Sequence, residues 1–254
     1  MIVFAHRGAS GYMPENTLDS FCLARKIGCD AIETDIHLTS DNQLVIIHDD
    51  DLSRTTNATG FVRDCTLSDI KRLDAGYWFT SNKRKYPFRG KGIRIPTLEE
   101  ALREFPEMLF NIEPKELQDG MDRLLIDTLD KADALDRVII ATSNNWKFLQ
   151  RIKAMCPSMR VNAPRQMVIR FWCSTLFSLH RFFRWDFYAL QVPFAYKRIP
   201  IVSRRFIRSA HQSGKQVHCW TINNESDMKK LMEMGVDGIM SDYPDRVLKL
   251  LGRS

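Results

Sequence analysis

Apolar positions along the chain follow two rhythms that take turns. Short runs rich in β-branched and aromatic residues (IVFAH, AIETDIHL, QLVIIH, MLFNIEP, RVIIATS, RVNAP, YALQVP, QVHCWTI and DGIMSD) alternate with stretches where apolar residues return every three or four positions. The first rhythm suits strands, the second helices with one apolar face. Helices are predicted at Thr17–Ile27, Thr97–Glu104, Asp122–Ala132, Asn145–Met155, Met167–Phe183, Ser203–Gln212, Glu225–Met234 and Pro244–Leu250. Such alternation implies a parallel sheet covered by helices. About eight units within 254 residues predict an α/β fold of the (β/α)8 TIM barrel type. An open doubly wound sheet is the second reading, but it wants a glycine-rich fingerprint after the first strand, and HRGASG is not GxGxxG.

The rhythm lapses between Asp49 and Pro96. That segment carries the turn residues RTTNATG, the basic run KRKYPFRGKG and one short helical pattern near Leu67–Leu73. It reads as an insertion, about 49–96, after the strand that ends in His48 and Asp49, within one domain spanning 1–254. Insertions at that end of a barrel strand sit over the active face.

Composition narrows the class. The apolar fraction is 44% and the charged fraction 27%, as in ordinary globular proteins. No apolar run is long enough to span a bilayer. The candidate chemistry starts at His6, so a cleaved leader would remove it, and a cytoplasmic location is expected. Six cysteines show no CxxC and no zinc spacing, which reads as reduced thiols in or near the core. The net charge of +6 is unevenly spread. Residues 1–60 hold four basic and nine acidic side chains, whereas residues 151–215 hold thirteen basic ones and a single acid, Asp186. An acidic front suits a metal; a basic later half suits an anionic partner.

Four stretches carry candidate chemistry. In AIETDIHL, Glu33 and Asp35 are two apart on a predicted strand, so both point to the barrel interior. Two inward carboxylates are tolerable if a cation lies between them, though for an isolated ExD a pair of surface charges, one solvated and one salt-bridged, is the better reading. In LFNIEPKE, Asn111, Glu113 and Lys115 share the same spacing. Three carboxylates without sulfur favour one hard divalent cation, Mg²⁺ or Ca²⁺. His48 shares a face with Ile46 at the end of QLVIIH and is expected to reach the barrel mouth, as is His6 with Arg7 at the end of IVFAH. Each histidine alone could be a hydrogen-bonded core residue, and His37, His180, His211 and His218 are read that way. Jointly, two histidines can act as acid and base, and a cation with two basic side chains can neutralise a phosphate.

Taken together, HRGASGYMPENT, GCDAIETDIHLTSDNQLVIIHDDDLSRTTNATG, LDAG, IPTLEEAL, NIEPK, VHCWTIN and GVDGIMSDYP resemble the glycerophosphodiester phosphodiesterase family, over a span from His6 to Pro244. The resemblance implies a (β/α)8 barrel with a small insertion after the HD strand. It implies a metal-dependent hydrolase that cleaves glycerophosphodiesters to sn-glycerol 3-phosphate and an alcohol. Glu33, Asp35 and Glu113 would be metal ligands, His6 and His48 the acid–base pair, and Arg7 and Lys115 phosphate contacts. Trp220 would form an apolar wall beside the glycerol or alcohol. Asn16 and Thr17 are expected to cap the first helix instead. The least similar stretch is Val161 to Ile201.

Two other readings stand beside this one. A lysophospholipase D-type enzyme on the same barrel would need a membrane-binding surface; a non-catalytic anion-binding barrel is suggested by the pI of about 9.0. Nucleic acid is not an expected partner, since RNA-binding aromatic–basic patterns are absent. In RQMVIRFWCSTLFSLHRFFRWDF, Val168, Phe171, Trp172, Leu176, Leu179, Phe182 and Phe183 would form one helical stripe. Arg170, Ser174, Arg181 and Arg184 fall opposite, interrupted by Phe177 and Trp185. The stripe should pack on the sheet; the surplus aromatic residues and arginines suggest loose peripheral membrane contact and entry of a long-chain alcohol.

Overall fold

The computed structural model describes residues 1–80, 82, 84–196 and 199–253. In chain order its elements are β1 (Ile2–His6), α1 (Leu18–Lys26), β2 (Ala31–Leu38), β3 (Leu44–Ile46), α2 (Leu67–Ile70), α3 (Leu98–Glu104), β4 (Leu109–Pro114), α4 (Met121–Lys131), β5 (Val138–Ile140), α5 (Trp146–Met155), β6 (Arg160–Val161), α6 (Arg165–Leu176), β7 (Ala189–Pro193), β8 (Ala195–Tyr196), β9 (Ile199–Pro200), α7 (Arg204–Gln212), β10 (Gln216–Trp220), α8 (Glu225–Met234), β11 (Gly238–Ser241) and α9 (Pro244–Leu250). Helix starts are marked locally. Thr17, Thr66 and Thr97 each form a reciprocal capping box, and Asn145, Ser203 and Asn224 accept a backbone N–H at the starts of α5, α7 and α8.

Strands β6, β5, β4, β2, β1, β11, β10 and β7 pair in that order, every one of these pairings parallel. Tyr188 N–H donates to the Val161 carbonyl at 2.7 Å and Ala163 N–H to the Ala189 carbonyl at 2.9 Å, which joins the two ends. This is the nearly closed eight-stranded barrel the alternation predicts. QLVIIH, however, is not a barrel strand. Only Leu44–Ile46 is extended, and it folds back antiparallel on β2, pairing Ile36 with Ile46 and Leu38 with Leu44. His48 therefore lies two residues beyond the strand it was expected to end.

Among the described residues, apolar burial forms three clusters. The largest lies between strands and helices and includes Val3, Ala5, Ile32 and Ile36, the outward residues of β1 and β2. Within it Phe21 of α1 meets Phe105 and Phe110 edge to face at 6.1 and 6.2 Å, tying α1 to α3 and β4. Pairs of this kind contribute about 0.5–1.5 kcal/mol each beyond their buried area. A small plug of Phe4, Ala31 and Met240 fills the barrel interior where the strands begin. The third cluster packs Leu52, Val62, Ile70, Ile93 and Ile95 of the insertion against Val45 of β3 and gives that segment shape despite little regular structure.

The predicted helix Met167–Phe183 is shorter than its apolar pattern. It ends at Leu176, and Ser178 takes a left-handed φ of 58° before a 3-10 turn at Leu179–Phe182. Phe171 is fully buried, and Val168 and Trp172 pack on the core, but Leu176, Leu179, Phe182 and Phe183 are exposed. Ser174 and Trp185, expected on the polar side, are buried instead.

Above the apolar plug the interior turns polar. The Asn111 side-chain oxygen Oδ1 accepts from the Asn162 side chain at 3.0 Å and from the Gln191 side chain at 2.7 Å. His218, fully buried on β10, pairs Nε2 with Gln216 Oε1 at 2.9 Å and stacks 5.0 Å from Phe4. Gly238 opposite it has no room for a side chain: a Cβ would stand 2.8 Å from Phe4 and 2.9 Å from His218. Burial pushes the His218 imidazole down to about 4, so the fold holds it neutral. Between that value and the unfolded value of 6.5 the unfolded chain binds the extra proton. The stabilisation is therefore full above about pH 6.5 and is lost as pH falls toward 4. A lag of this size corresponds to roughly 3 kcal/mol. His218→Leu should flatten the urea-midpoint-versus-pH curve in that window. An unchanged slope, measured on folded variant, would refute the assignment.

Candidate active site

The site is built where the barrel strands end. β1 delivers His6, and the chain then turns through two left-handed residues, Arg7 at φ 56° and Gly8 at φ 81°. Gly8 is required twice over, because a Cβ there would also overlap the Ser20 side chain. For Arg7 the conformation costs on the order of 1 kcal/mol or more. Its N–H donates to the Glu33 carbonyl at 2.8 Å, and its carbonyl accepts from Asn16 N–H at 2.9 Å, so the turn is tightly determined.

In the register of the sheet, His6 lies beside Glu33 and Asp35 beside Glu113. One ligand oxygen from each of Glu33, Asp35 and Glu113 lies within 4.8 Å of the others. Glu33 and Asp35 are buried and Glu113 is half-buried. Burial, with the Asp35 charge adding to it, pushes Glu33 up to about 7. Burial also works against ionised Asp35, but Lys115 and Arg7 outweigh it and hold this carboxyl below its ordinary value. Lys115 Nζ is 2.8 Å from Asp35 and 2.9 Å from Glu113; Arg7 Nε is 3.3 Å from Asp35. Lys115 loses charge stability through burial and regains more from Asp35 and Glu113, so it stays protonated.

The donor set suits a hard cation. All three groups are carboxylates, none competes with a sulfur or imidazole ligand, and a cation would relieve the repulsion that lifts Glu33. Among the described residues the buried Arg7 Nε has no hydrogen-bond partner, since its approach to Asp35 is an ion pair without hydrogen-bond geometry; this leaves a donor for an incoming anion. Asn16 donates to Asp35 at 3.1 Å and accepts from Thr34 at 2.8 Å, while Thr17 alone caps α1. The expectation that Asn16 serves as a cap is thus corrected: it positions a carboxylate.

Each of the two histidines is held by its own carboxylate. His6 Nδ1 is 2.6 Å from Asp242, which also accepts from Ser10 and Asn223. His48 Nδ1 is 2.6 Å from Asp49. Such contacts fix the tautomer and leave Nε2 for other work. Burial alone would lower the His6 value, but the Glu33 charge and the Asp242 hydrogen bond raise it. Arg54, from the insertion, pairs with Asp49 and with Glu15, and Glu15 pairs with Arg7 at 3.0 Å. The insertion is thereby clamped to the barrel. His37 is a buried structural residue whose Nε2 pairs with the His48 carbonyl at 3.0 Å.

A cleft of about 330 Å³ opens here, lined by His6, Arg7, Ser10, Gly11, Glu15, Asp242 and Tyr243 from the barrel and Phe79 and Thr80 from the insertion. Trp220 stands at the end of β10, 43% exposed and outside the cleft lining. The structure therefore gathers His6, Arg7, Glu33, Asp35, Glu113 and Lys115 into one contact network, with His48 beside it. The sequence reading missed Glu15, Arg54, Asp49 and Asp242. Asp49 follows His48 directly, and Asp242 follows a strand end in GIMSD, so the logic that found Glu33 applied to it as well.

Comparison with known proteins agrees with this geometry. The chain is 35% identical over 255 residues to a glycerophosphodiester phosphodiesterase of Caldanaerobacter subterraneus, covering 98% of this chain and 97% of that one. It is 36% identical over 260 residues to a Bacillus subtilis protein of the same name, covering 96% and 84%. An Oleispira antarctica phosphodiesterase solved in complex with the product sn-glycerol-3-phosphate superposes with a TM-score of 0.80 at 30% identity, covering 99% of this chain and 97% of that chain. Residues 6–246 match the family model described as glycerophosphoryl diester phosphodiesterase, and the chain belongs to that family.

Proposed function

We propose that the protein hydrolyses glycerophosphodiesters to sn-glycerol 3-phosphate and an alcohol, with one divalent cation, Mg²⁺ or Ca²⁺, held by Glu33, Asp35 and Glu113. The observation that carries this is a cluster of three carboxylates beside two histidines that each lean on a carboxylate. When bound, the cation would supply positive charge against the phosphoryl oxygens. The residues of the chain do the rest. A diester carries one negative charge, and more builds on its free oxygens as a nucleophile attacks. Arg7, with its unpartnered Nε, and Lys115 are placed to bind and orient that group. Of His6 and His48, one takes the nucleophile's proton and the other returns a proton to the departing alcohol oxygen. Asp242 and Asp49 hold the two rings in place, and Trp220 lies at the rim, as a wall for the glycerol or alcohol portion.

The same reading places the protein in the cytosol, loosely attached to membranes. Among the described residues, no helix is long and apolar enough to cross a membrane. Exposed aromatic residues and arginines after β6 support surface contact instead.

Hydrolysis of glycerophosphocholine should stop in EDTA and return with Mg²⁺ or Ca²⁺. Full turnover in chelator, with the metal shown to be gone by elemental analysis, would exclude the cation role. Glu113→Gln should weaken Mg²⁺ or Ca²⁺ binding in calorimetry while leaving the melting temperature of the metal-free protein nearly unchanged, because the residue sits at a strand end rather than in the packed layers.

His6→Ala and His48→Ala should each lower kcat by roughly 10²–10⁴, the usual worth of a general acid or base. Near-normal turnover in either variant would remove that residue from the chemistry. Asp242→Asn and Asp49→Asn should lower kcat more than they raise KM, since they act on the rings and not on the substrate.

A further inference from the structure

We infer that the protein docks on anionic bilayers through the pole of the barrel opposite its active-site mouth, leaving the mouth open to water. This rests on the peripheral attachment proposed above and assigns its surface, its orientation and the substrate class that follows.

The surface is an unusual concentration of exposed apolar side chains. Phe182 is 83% exposed and Phe177 75%, and Leu176, Leu179 and Phe183 are each more than 40% exposed. Patches of this kind on a folded protein mark contact sites. The patch is also built, not frayed. Ser178 breaks α6 in a left-handed turn that releases Phe177 outward, while the neighbouring chain is anchored. Trp185 Nε1 donates to the His180 carbonyl at 2.9 Å, His180 pairs with Gln212 at 3.2 Å, and Phe171 packs edge-on against Trp185 at 4.9 Å. The core is thus satisfied by Phe171 and Trp185, and Phe177 and Phe182 have no part in it.

Charge identifies the occupant. No acidic residue occurs between Asp136 and Asp186. Arg170, Arg181 and Arg184 are exposed in the patch, and Arg205 reaches it from α7 by donating to the Leu176 carbonyl at 2.8 Å. Asp186 is engaged by Lys153. A second copy pairing through the same face would bring these arginines together with nothing to neutralise them. An anionic bilayer offers both an apolar interior for the phenylalanines and phosphates for the arginines.

Chain direction sets the orientation. α6 leaves β6 at the mouth end and runs back toward the end where the strands begin. The patch at its far end lies beside Gln212, the last residue of α7, which descends in the same direction. His6, Glu33 and Glu113 are at the other pole. A protein seated on this patch points its cleft away from the bilayer. It therefore takes water-soluble, fully deacylated diesters, and a lysophospholipid anchored in the same bilayer does not reach it. The sequence expectation that this segment admits a long-chain alcohol gives way to that geometry.

The test uses the full chain with vesicles of phosphatidylcholine alone or with phosphatidylglycerol. Co-sedimentation should require phosphatidylglycerol, fall with salt, and drop at least tenfold in Phe177→Ser/Phe182→Ser and severalfold in Arg181→Ala. Both variants should keep wild-type turnover of free glycerophosphocholine, which also verifies folding. Vesicle-bound enzyme should retain that turnover and cleave vesicle-embedded lysophosphatidylcholine no faster than unbound enzyme does. No binding at low salt overturns peripheral attachment altogether. Binding that ignores the phenylalanines overturns only the assigned face. Vesicle-dependent acceleration on the lysolipid overturns the orientation, and a dimer abolished by the same variants without vesicle binding makes a second copy the occupant.

Discussion

Two carboxylates two residues apart on a buried strand are the constraint on which the rest of this site depends. Glu33 and Asp35 face the same way, have lost most of their water, and repel each other. Unaided, such a pair protonates or destabilises the barrel. The surroundings read as answers to that repulsion. Arg7 accepts a left-handed backbone so that its side chain meets Asp35, Lys115 lies between Asp35 and Glu113, and Asn16 donates to the same Asp35 oxygen that Arg7 approaches. Glu33, beside the Asp35 charge, is pushed up to about 7. A third carboxylate, Glu113, adds to the imbalance, which makes sense for a site shaped around a divalent charge.

The insertion matters for the same reason. Its apolar cluster packs it against β3, but its attachment to the mouth is ionic: Arg54 pairs with Asp49 and Glu15, and Glu15 with Arg7. One chain of alternating charges thus runs from the His48 partner to the buried Asp35. Asp49 and Glu15 both stay ionised in it, because Arg54 and its neighbours outweigh their burial. The ionic clamp beside the cleft and the orientation of His48 therefore share one residue, Asp49.

Charge is also divided across the molecule. The acidic cluster sits at the pole where strands end, and the arginine-rich, aromatic surface follows β6 at the other. The net charge of +6 conceals this polarity.

Local rules determined much of this protein. Strand–helix alternation was sufficient for the barrel, because period 2 and period 3.6 are properties of adjacent residues. The same rule put Glu33 and Asp35 on one face, and capping residues placed most helix starts. Tertiary structure decided what local rules cannot reach. QLVIIH has the apolar content of a barrel strand, but a tight return after Leu38 makes antiparallel pairing with β2 the shorter connection. The apolar pattern of Met167–Phe183 continues beyond the helix because exposure, unlike periodicity, depends on whether a partner surface is present; Phe171 and Trp185 had already filled it. The orienting partners of the histidines divide in the same way. Asp49 lies next to His48, but Asp242 is 236 positions from His6 and reaches it only because β11 closes the barrel against β1.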